Sequence, residues 1–336
     1  MTASEALLDV HAVSKAFVRS RGLLARHHDR IVAVDDVSFS IRRGETFGIV
    51  GESGCGKTTL ARVLMRLTEP SGGSISFAGT DLGSANPRAL QSIRTRIQMV
   101  FQDPYASLNP RKSLYSALAK PFRLHTDLAS VVIRSRVLGL LEDVGLVPAA
   151  EYVDRYPHEL SGGQRQRVVI ARAIALKPDL IVADEPVSAL DVSVRAQILN
   201  LLQQLKRKHD LTVIFISHDL SIVRSLCDRV AVMYLGRIVE MGLTEDIFDH
   251  PLHPYTRALL ASTPVPDPRL MRTRTKVPIE GEIPSAAQRP SGCLFHTRCP
   301  MRDKGCDVDS PLLRRLGTSQ EVACHYAERN LRGEAG

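Results

Sequence analysis

The sequence has no tryptophan, and aromatic residues make up only 5% of its 336 residues. This scarcity argues against a protein that stacks single-stranded nucleic acid on aromatic side chains. No apolar run reaches the roughly 18 residues that a membrane-spanning helix needs, and the first residues lack the basic and apolar regions of a secretory signal. We therefore expect a protein that stays in the cytosol, where disulfides are rare.

What the sequence does contain is an ordinary globular composition with a positive charge. Hydrophobic residues make up 44% and charged residues 24%, and the formal net charge is +8. Such a charge suits a phosphate ligand, an anionic membrane surface or a nucleic acid, and does not choose among them. The chain is longer than one compact core usually accommodates, so we expect two or more folded units.

Short apolar runs alternate with helical patterns, which predicts an α/β fold. Residues 46–50, 180–184 and 212–217 are rich in Val, Ile or Phe and are typical of buried strands. Residues 230–242 predict a hairpin that turns near Gly236. Residues 106–159 carry helical patterns with no strand between them, which predicts a helical insertion.

A phosphate-binding loop is predicted at residues 51–58, GESGCGKT, which match G-x-x-x-x-G-K-[ST] after a predicted strand. Backbone N–H groups of such a loop turn toward an anion. Lys57 would reach the β- and γ-phosphates, and Thr58 would place its hydroxyl on Mg²⁺. At the end of the strand 180–184, Asp184 is placed to hold the magnesium shell, and Glu185 suits a general base for water.

A second anion-binding helix end is predicted in the segment LSGGQRQR, residues 160–167. Ser161, Gly162 and Gly163 lie at the start of the helix that follows. One ATP needs only one such helix end. The second therefore predicts a nucleotide that is held mainly by another chain.

These motifs, in this order, resemble the ATP-binding cassette (ABC) family over about residues 7–242. The resemblance implies a P-loop ATPase with a RecA-like core, an antiparallel β subdomain and a helical subdomain at about 106–159, together forming a nucleotide-binding domain at 1–242. It implies that Gln102 forms the Q-loop, that His218 is the switch histidine, and that Gln102, Glu185 and His218 are the catalytic residues. Thr58, Gln102 and Asp184 would hold Mg²⁺.

The resemblance also implies the contacts to two nucleotides. The chain's own ATP would contact Phe17, Gly51, Glu52, Ser53, Gly54, Cys55, Gly56, Lys57, Thr58, Thr59 and Gln102. The partner's ATP would meet the signature residues Leu160, Ser161, Gly162, Gly163 and Gln164, and the D-loop would be Ser188, Ala189, Leu190 and Asp191. Phe17 is the candidate for stacking on adenine, and the basic stretch 19–30 after it predicts a solvated loop. Cys55 is expected to be a small filler whose pKa the helix N-terminus would lower, leaving an oxidation-sensitive thiol.

The tail extends the resemblance almost to the end of the chain. Residues 253–260, 281–285 and 292–300 resemble ATPase subunits of the dipeptide and oligopeptide permease group, of the F type. This implies a complex with two permease subunits, a second related ATPase and an external binding protein, at the cytoplasmic face of a bacterial inner membrane. Nickel and glutathione importers share such tails and stay as alternatives. A soluble ATPase that acts on nucleic acid is a more distant alternative. Such proteins carry either two ATP sites in one chain or a long coiled coil, whereas this chain has one P-loop and no sustained heptads. We therefore expect no nucleic-acid partner.

Four of the six cysteines lie in the predicted C-terminal extension, residues 243–336: Cys293, Cys299, Cys306 and Cys324. Their gaps of five, six and seventeen residues match neither structural zinc pairs nor ferredoxins. Four thiols meet the count of a [4Fe–4S] cluster, and the resemblance supports that choice, with zinc next and unligated thiols last. We expect a structural role, because the tail is short, loop-rich and poor in apolar residues.

Overall fold

The structure, a computed structural model, describes residues 6–20, 28–262, 281–282, 284–285 and 287–331. Most of the predicted basic loop, at 21–27, and part of the predicted tail, at 263–280, lie outside the described residues. The chain divides into two compact units. Among the described residues, the first unit comprises 42–45 and 84–215, and the second comprises the rest.

The strands are β1 (Ala6–Ser20), β2 (His28–Arg42), β3 (Thr46–Val50), β4 (Gly72–Phe77), β5 (Thr80–Asp81), β6 (Ile97–Val100), β7 (Leu180–Asp184), β8 (Thr212–Ile216), β9 (Arg229–Tyr234), β10 (Arg237–Leu243), β11 (Arg314–Leu316) and β12 (Gln320–Val322). The helices are α1 (Lys57–Leu64), α2 (Pro87–Arg96), α3 (Pro104–Ser107), α4 (Leu114–His125), α5 (Ser130–Asp143), α6 (Ala149–Tyr152), α7 (Gly162–Ile174), α8 (Val192–His209), α9 (Leu220–Leu226), α10 (Thr244–Asp249), α11 (Pro254–Ala261) and α12 (Ala327–Leu331). Short 3₁₀ turns lie at Pro157–Glu159 and His296–Arg298. Each described helix is too short or too polar to span a bilayer.

The first unit contains the predicted helical insertion. Its strands lie in the order β8-β7-β6, with β6 and β7 parallel. Every residue of β7 is buried, as its apolar sequence predicts. Helices α3 to α6 follow β6 with no strand between them. Helix α8 buries Ile198, Leu201 and Leu205, which lie on one face at helical spacing.

The second unit contains the predicted strand that precedes the phosphate-binding loop, and the predicted hairpin. Strand β3 is buried along its whole length and pairs in parallel with β9. Strands β9 and β10 form the antiparallel hairpin, in which Tyr234 pairs with Arg237. A second sheet has the order β2-β1-β4-β5, with β4 antiparallel to both β1 and β5.

The tail has more regular structure and more apolar packing than its sequence predicts. Strand β12 pairs with β10, and β11 pairs with β12, so the tail continues the sheet that carries β3. Leu252, Val322 and Ala327 form a small buried cluster. Phe295 packs edge-on against Tyr234, with ring centroids 5.4 Å apart. The tail therefore has apolar packing of its own, which the expectation of a metal centre in place of a core did not include.

Candidate functional site

The predicted phosphate-binding loop connects β3 to α1, as its position after an apolar strand predicts. Gly51 has a φ of 151°, and a Cβ there would lie 2.2 Å from the carbonyl oxygen of Met233. Gly56 has a φ of 108°, and its Cβ would lie 2.1 Å from the carbonyl oxygen of Ala33. Backbone therefore presses on both ends of the loop, and only glycine permits this approach.

Lys57 opens α1 and is folded onto the loop that precedes it. Its side chain is buried, and its Nζ donates hydrogen bonds to the carbonyl oxygens of Gly51 at 2.8 Å and Glu52 at 3.0 Å. The ammonium group is thus held at the start of a helix, where backbone N–H groups also favour an anion. Thr58 and Thr59 follow in the first turn and are partly buried.

Cys55 is a buried filler, as predicted, but its thiol is not activated. Its Sγ lies 3.7 Å from the Nζ of Lys57, which favours the thiolate. Burial is the larger effect and raises the pKa of the Cys55 thiol above its usual value. The predicted lowering of the pKa by the helix N-terminus is therefore wrong, since desolvation outweighs the nearby positive charge.

Glu52 joins the loop to the C-terminal part of the chain. Its backbone N–H donates to the Oη of Tyr255 at 2.9 Å. Its carboxylate accepts two hydrogen bonds from Arg298, at 2.8 Å and 3.1 Å. Sequence reasoning missed both partners, because the loop motif does not require an acid at this position and Arg298 is 246 residues away in the sequence.

In the first unit, the predicted general base is held by the predicted Q-loop residue. Asp184 ends β7 and is buried, whereas Glu185 is partly exposed and has a positive φ of 46°. The Nε2 of Gln102, just after β6, donates to the Oε2 of Glu185 at 3.0 Å. A non-glycine residue in the left-handed region is uncommon and often marks a functional position.

The predicted D-loop turns directly after Glu185. The N–H and the hydroxyl of Ser188 both donate to the carbonyl oxygen of Glu185, at 3.2 Å and 3.1 Å. Arg195 in α8 donates to the carbonyl oxygen of Leu190 at 2.7 Å. Leu190 is buried, and Ala189 and Asp191 are exposed. Arg195, which sequence reasoning missed, thus fixes the backbone of this loop, while Ala189 and Asp191 remain exposed to solvent.

The predicted signature segment forms the capped start of α7. The Ser161 hydroxyl accepts from the N–H of Gln164 at 3.3 Å, and the Oε1 of Gln164 accepts from the N–H of Ser161 at 3.0 Å. This reciprocal capping box fixes the entry into the helix. Leu160 is buried, while Gly162 and Gly163 are partly exposed at the helix N-terminus. The N-terminus of α7 is thus partly open to solvent, and backbone N–H groups at such a helix end favour an anion.

Two further predicted residues lie in the second unit. Phe17 is on β1 and is 43% exposed, with the Nζ of Lys15 at 5.2 Å from the ring centre. An exposed ring of this kind is available for stacking. His218 is also exposed and comes two residues after the end of β8.

The structure brings the four tail cysteines to one pocket. Cys293, Cys299, Cys306 and Cys324 all line it, together with Phe295 and Met301. All are free thiols. Burial raises the pKa of the Cys293 thiol, that of Cys299 to about 11 and that of Cys324 to about 12. Desolvation thus favours the neutral thiol at these three cysteines.

A single metal ion does not fit this pocket as the side chains stand. Among the described residues, no group of three or more His, Cys, Asp or Glu side chains is arranged to hold one ion. Tetrahedral zinc with sulfur at about 2.3 Å would draw the sulfur atoms to about 3.8 Å from one another.

Two stretches of the chain match known protein families. Residues 34–188 match the family described as ABC transporter, and residues 239–306 match the one described as oligopeptide/dipeptide transporter, C-terminal region. The oligopeptide transport ATP-binding protein AppF of Bacillus subtilis (strain 168) is 50% identical over 97% of this chain and 99% of that relative. The di/tripeptide transport ATP-binding protein DppF of Pseudomonas aeruginosa (strain UCBPP-PA14) is 46% identical, with 97% of this chain and 99% of the relative covered. A solved dimer of the ATP-binding cassette MJ0796 bound to ADP and Pi is 28% identical, with a TM-score of 0.62 over 70% of this chain and 98% of that one.

Proposed function

The chain belongs to the ABC transporter family, among its peptide-transport ATP-binding subunits, and on that basis we propose that it hydrolyses ATP to power the import of di- and oligopeptides. The observation that carries the proposal is one chain that combines the described phosphate-binding loop with the peptide-transporter C-terminal region. The relatives named for peptide transport extend over almost its whole length. The family that the sequence motifs imply is therefore confirmed.

We assign the chemistry to residues as follows. The loop 51–56 and the ammonium group of Lys57 hold the phosphates of ATP, and Phe17 stacks on the adenine. Thr58, Gln102 and Asp184 are the magnesium ligands, and the ion, when bound, offsets phosphate charge. Glu185 accepts the proton of the attacking water, and its hydrogen bond with Gln102 supports that role by fixing the carboxylate. His218 completes the catalytic set on the γ-phosphate.

We further propose that the chain works as one of two homologous ATPases. The exposed N-terminus of α7 and the exposed D-loop residues suit contact with a nucleotide on another chain, and a related cassette has been solved as a dimer. The partner is a related but different ATPase. The pair binds two permease subunits, served by an external binding protein, at the cytoplasmic face of the inner membrane.

The experiment that tests transport is peptide uptake in cells. Deleting this chain should abolish the uptake of labelled tripeptide, and restoring the wild type, but not Lys57→Ala, should recover it. Uptake of labelled nickel and glutathione serves as the control. Loss of nickel or glutathione uptake with peptide uptake intact would refute peptide as the solute. Tagged chain purified with its complex should carry a second ATPase of different mass, and recovery of this chain as the sole ATPase would refute the heterodimer.

For the cysteine pocket we propose a [4Fe–4S] cluster held by Cys293, Cys299, Cys306 and Cys324. Support comes from the convergence of four free thiols on one pocket. When bound, the cluster would supply the positive charge that lets buried thiols ionise, and binding would release their protons. Its role is structural, because the thiols come from two separated stretches of the tail that it would link.

Anaerobic purification tests this assignment. We expect brown protein with broad visible absorbance and stoichiometric iron and sulfide. Cys299→Ser should bleach the protein and loosen the tail toward protease, with ATP binding retained. Cys227→Ser is the matched control, since Cys227 is a buried cysteine of the same unit outside the pocket, and the variant should keep the colour. Colourless protein with one zinc per chain would overturn the iron assignment. Metal-free protein with an equally resistant tail after the Cys299 change would overturn any metal.

A further inference from the structure

Every polar group of Glu52 is engaged, and its contacts lead in two directions. Toward the tail, its N–H donates to the Oη of Tyr255, and its carboxylate accepts hydrogen bonds from both terminal nitrogens of Arg298. Toward the loop, its carbonyl oxygen accepts from the Nζ of Lys57 at 3.0 Å and from the N–H of Cys55 at 3.3 Å. Glu52 therefore mechanically connects the tail to the lysine of the phosphate site.

The tail side of this connection is firmly built. We call the contacts of Tyr255 and Arg298 with Glu52 the Glu52 anchor. The Arg298 side chain is only 6% exposed, and a second donor contact reaches the Oη of Tyr234 at 3.4 Å. The Tyr255 ring lies 5.4 Å from Phe295 and is fully buried. Such a forked ion pair fixes geometry as well as charge.

The anchor also has an electrostatic effect on the loop. Glu52 puts a carboxylate into a loop whose predicted ligand is a polyphosphate, and like charges repel more strongly away from bulk water. The buried guanidinium group of Arg298 offsets that charge at 2.8 Å. Without Arg298, the carboxylate would oppose phosphate binding and would be free to move, together with the carbonyl group on which Lys57 rests.

We propose that Arg298 and Tyr255 are positioning residues for ATP binding, which act from the tail through Glu52 on the loop and on Lys57. The inference rests on the proposed ATPase function and adds to it residues that lie outside the loop motif. Arg298 directly precedes Cys299, so the anchor also gives the cysteine pocket a covalent neighbour that contacts the nucleotide loop.

Titration of the purified full-length chain with a ribose-labelled fluorescent ATP and magnesium tests the proposal. The midpoint reports affinity, and the final amplitude reports the fraction of competent protein. Arg298→Ala should weaken binding about tenfold with full amplitude, because a buried ion pair to a charged group is lost. Tyr255→Phe should weaken it about threefold, through loss of the phenol oxygen that accepts the Glu52 N–H.

Arg314→Ala is the matched control. Arg314 forms a forked pair with Glu328 in the same tail, at 2.5 Å and 2.7 Å. Because this pair is largely exposed, its loss in Arg314→Ala should leave the ATP affinity within about twofold of the wild type. The double variant Glu52→Gln/Arg298→Ala should recover most of the affinity, since the unpaired carboxylate is gone. If Arg298→Ala does not fold, Arg298→Lys keeps the charge but loses the fork, and should still weaken binding about threefold.

Three results with the alanine variants would overturn the inference. They are an Arg298→Ala affinity within twofold of the wild type, an equal loss in Arg314→Ala, and a reduced amplitude at unchanged affinity, which a purely structural role predicts. An unchanged affinity in Arg298→Lys would do the same. If the wild-type chain fails to bind the ATP analogue, the proposed function fails instead, so the two failures are distinguishable.

Discussion

Replacing Glu185 by glutamine should abolish ATP turnover and leave ATP binding intact. The side-chain amide of glutamine has nearly the shape of the carboxylate, and its Oε1 can still accept the 3.0 Å hydrogen bond from Gln102. The geometry is therefore kept while the proton acceptor is lost. General-base catalysis contributes typically 10²–10⁴-fold, so we expect a fall in turnover of at least about a hundredfold.

The partner of that hydrogen bond provides the comparison. Both side chains are partly or largely exposed, so the Gln102–Glu185 bond itself is worth about 0.5–1.5 kcal/mol, which corresponds to a rate factor of about 2–13. Gln102→Ala should lower turnover by at least that factor, and further if Gln102 is a magnesium ligand. Glu185→Asp, which keeps the charge on a shorter side chain, should retain more activity than Glu185→Gln.

The assay is steady-state phosphate release by the assembled transporter, together with a titration of ATP affinity. Glu185→Gln should bind ATP within about threefold of wild type and accumulate in the ATP-bound, paired state. Turnover near the wild-type rate would refute the base assignment, provided that the same change in the partner ATPase also leaves turnover unaffected. A loss of ATP binding equal to the loss of turnover would refute the argument that geometry is preserved.

Three more predictions concern the second unit. Burial raises the pKa of the Glu240 carboxyl group from 4.5 to about 7, so between these pH values the folded state holds a proton that the unfolded state releases. Stability, measured as the urea midpoint of unfolding, should therefore fall as the pH rises from 4.5 to about 7. Glu240→Gln, which cannot titrate, should lack the part of this fall that Glu240 causes. Gly56→Ala should weaken ATP binding at least tenfold, because the added Cβ would clash with the carbonyl oxygen of Ala33. Gly139→Ala is the control and should bind ATP normally, because a Cβ there would have no atom within 4 Å. Normal binding by both variants would contradict the predicted clash. Cys55 should resist iodoacetamide at pH 8 in the folded chain, judged by mass spectrometry, because burial raises its pKa; modification as fast as in urea would refute this.

The strands and helices that carry the motifs could be predicted from sequence because each is set by local pattern. Residues 46–50 and 180–184 are continuous apolar runs, and both are fully buried strands with the predicted bounds. The loop, signature and acidic motifs are each short, and their order can be read directly from the sequence. The family that this order implied is confirmed by the relatives.

The parts that sequence did not predict depend on contacts between distant segments. Strand β12 is only three residues long, too short to show alternation, and exists because β10 offers an edge for pairing. The Arg298–Glu52 pair has no signal in either stretch, since arginine and glutamate are common surface residues. The pKa of Cys55 was mispredicted because its burial depends on packing, whereas its place beside a helix N-terminus is visible in the motif.

The way the second unit is assembled from the chain has a consequence for synthesis on the ribosome. The first unit is almost one continuous stretch, 84–215, and its parts emerge together. The nucleotide loop emerges early, but the strand that extends its sheet and the arginine that holds Glu52 come from residues after 290. At roughly 5–20 residues per second, the loop waits on the order of tens of seconds for these contacts. A chain released before residue 298 would carry a complete loop motif without its anchor, so under the proposal above tight nucleotide binding would itself report that translation had passed residue 298.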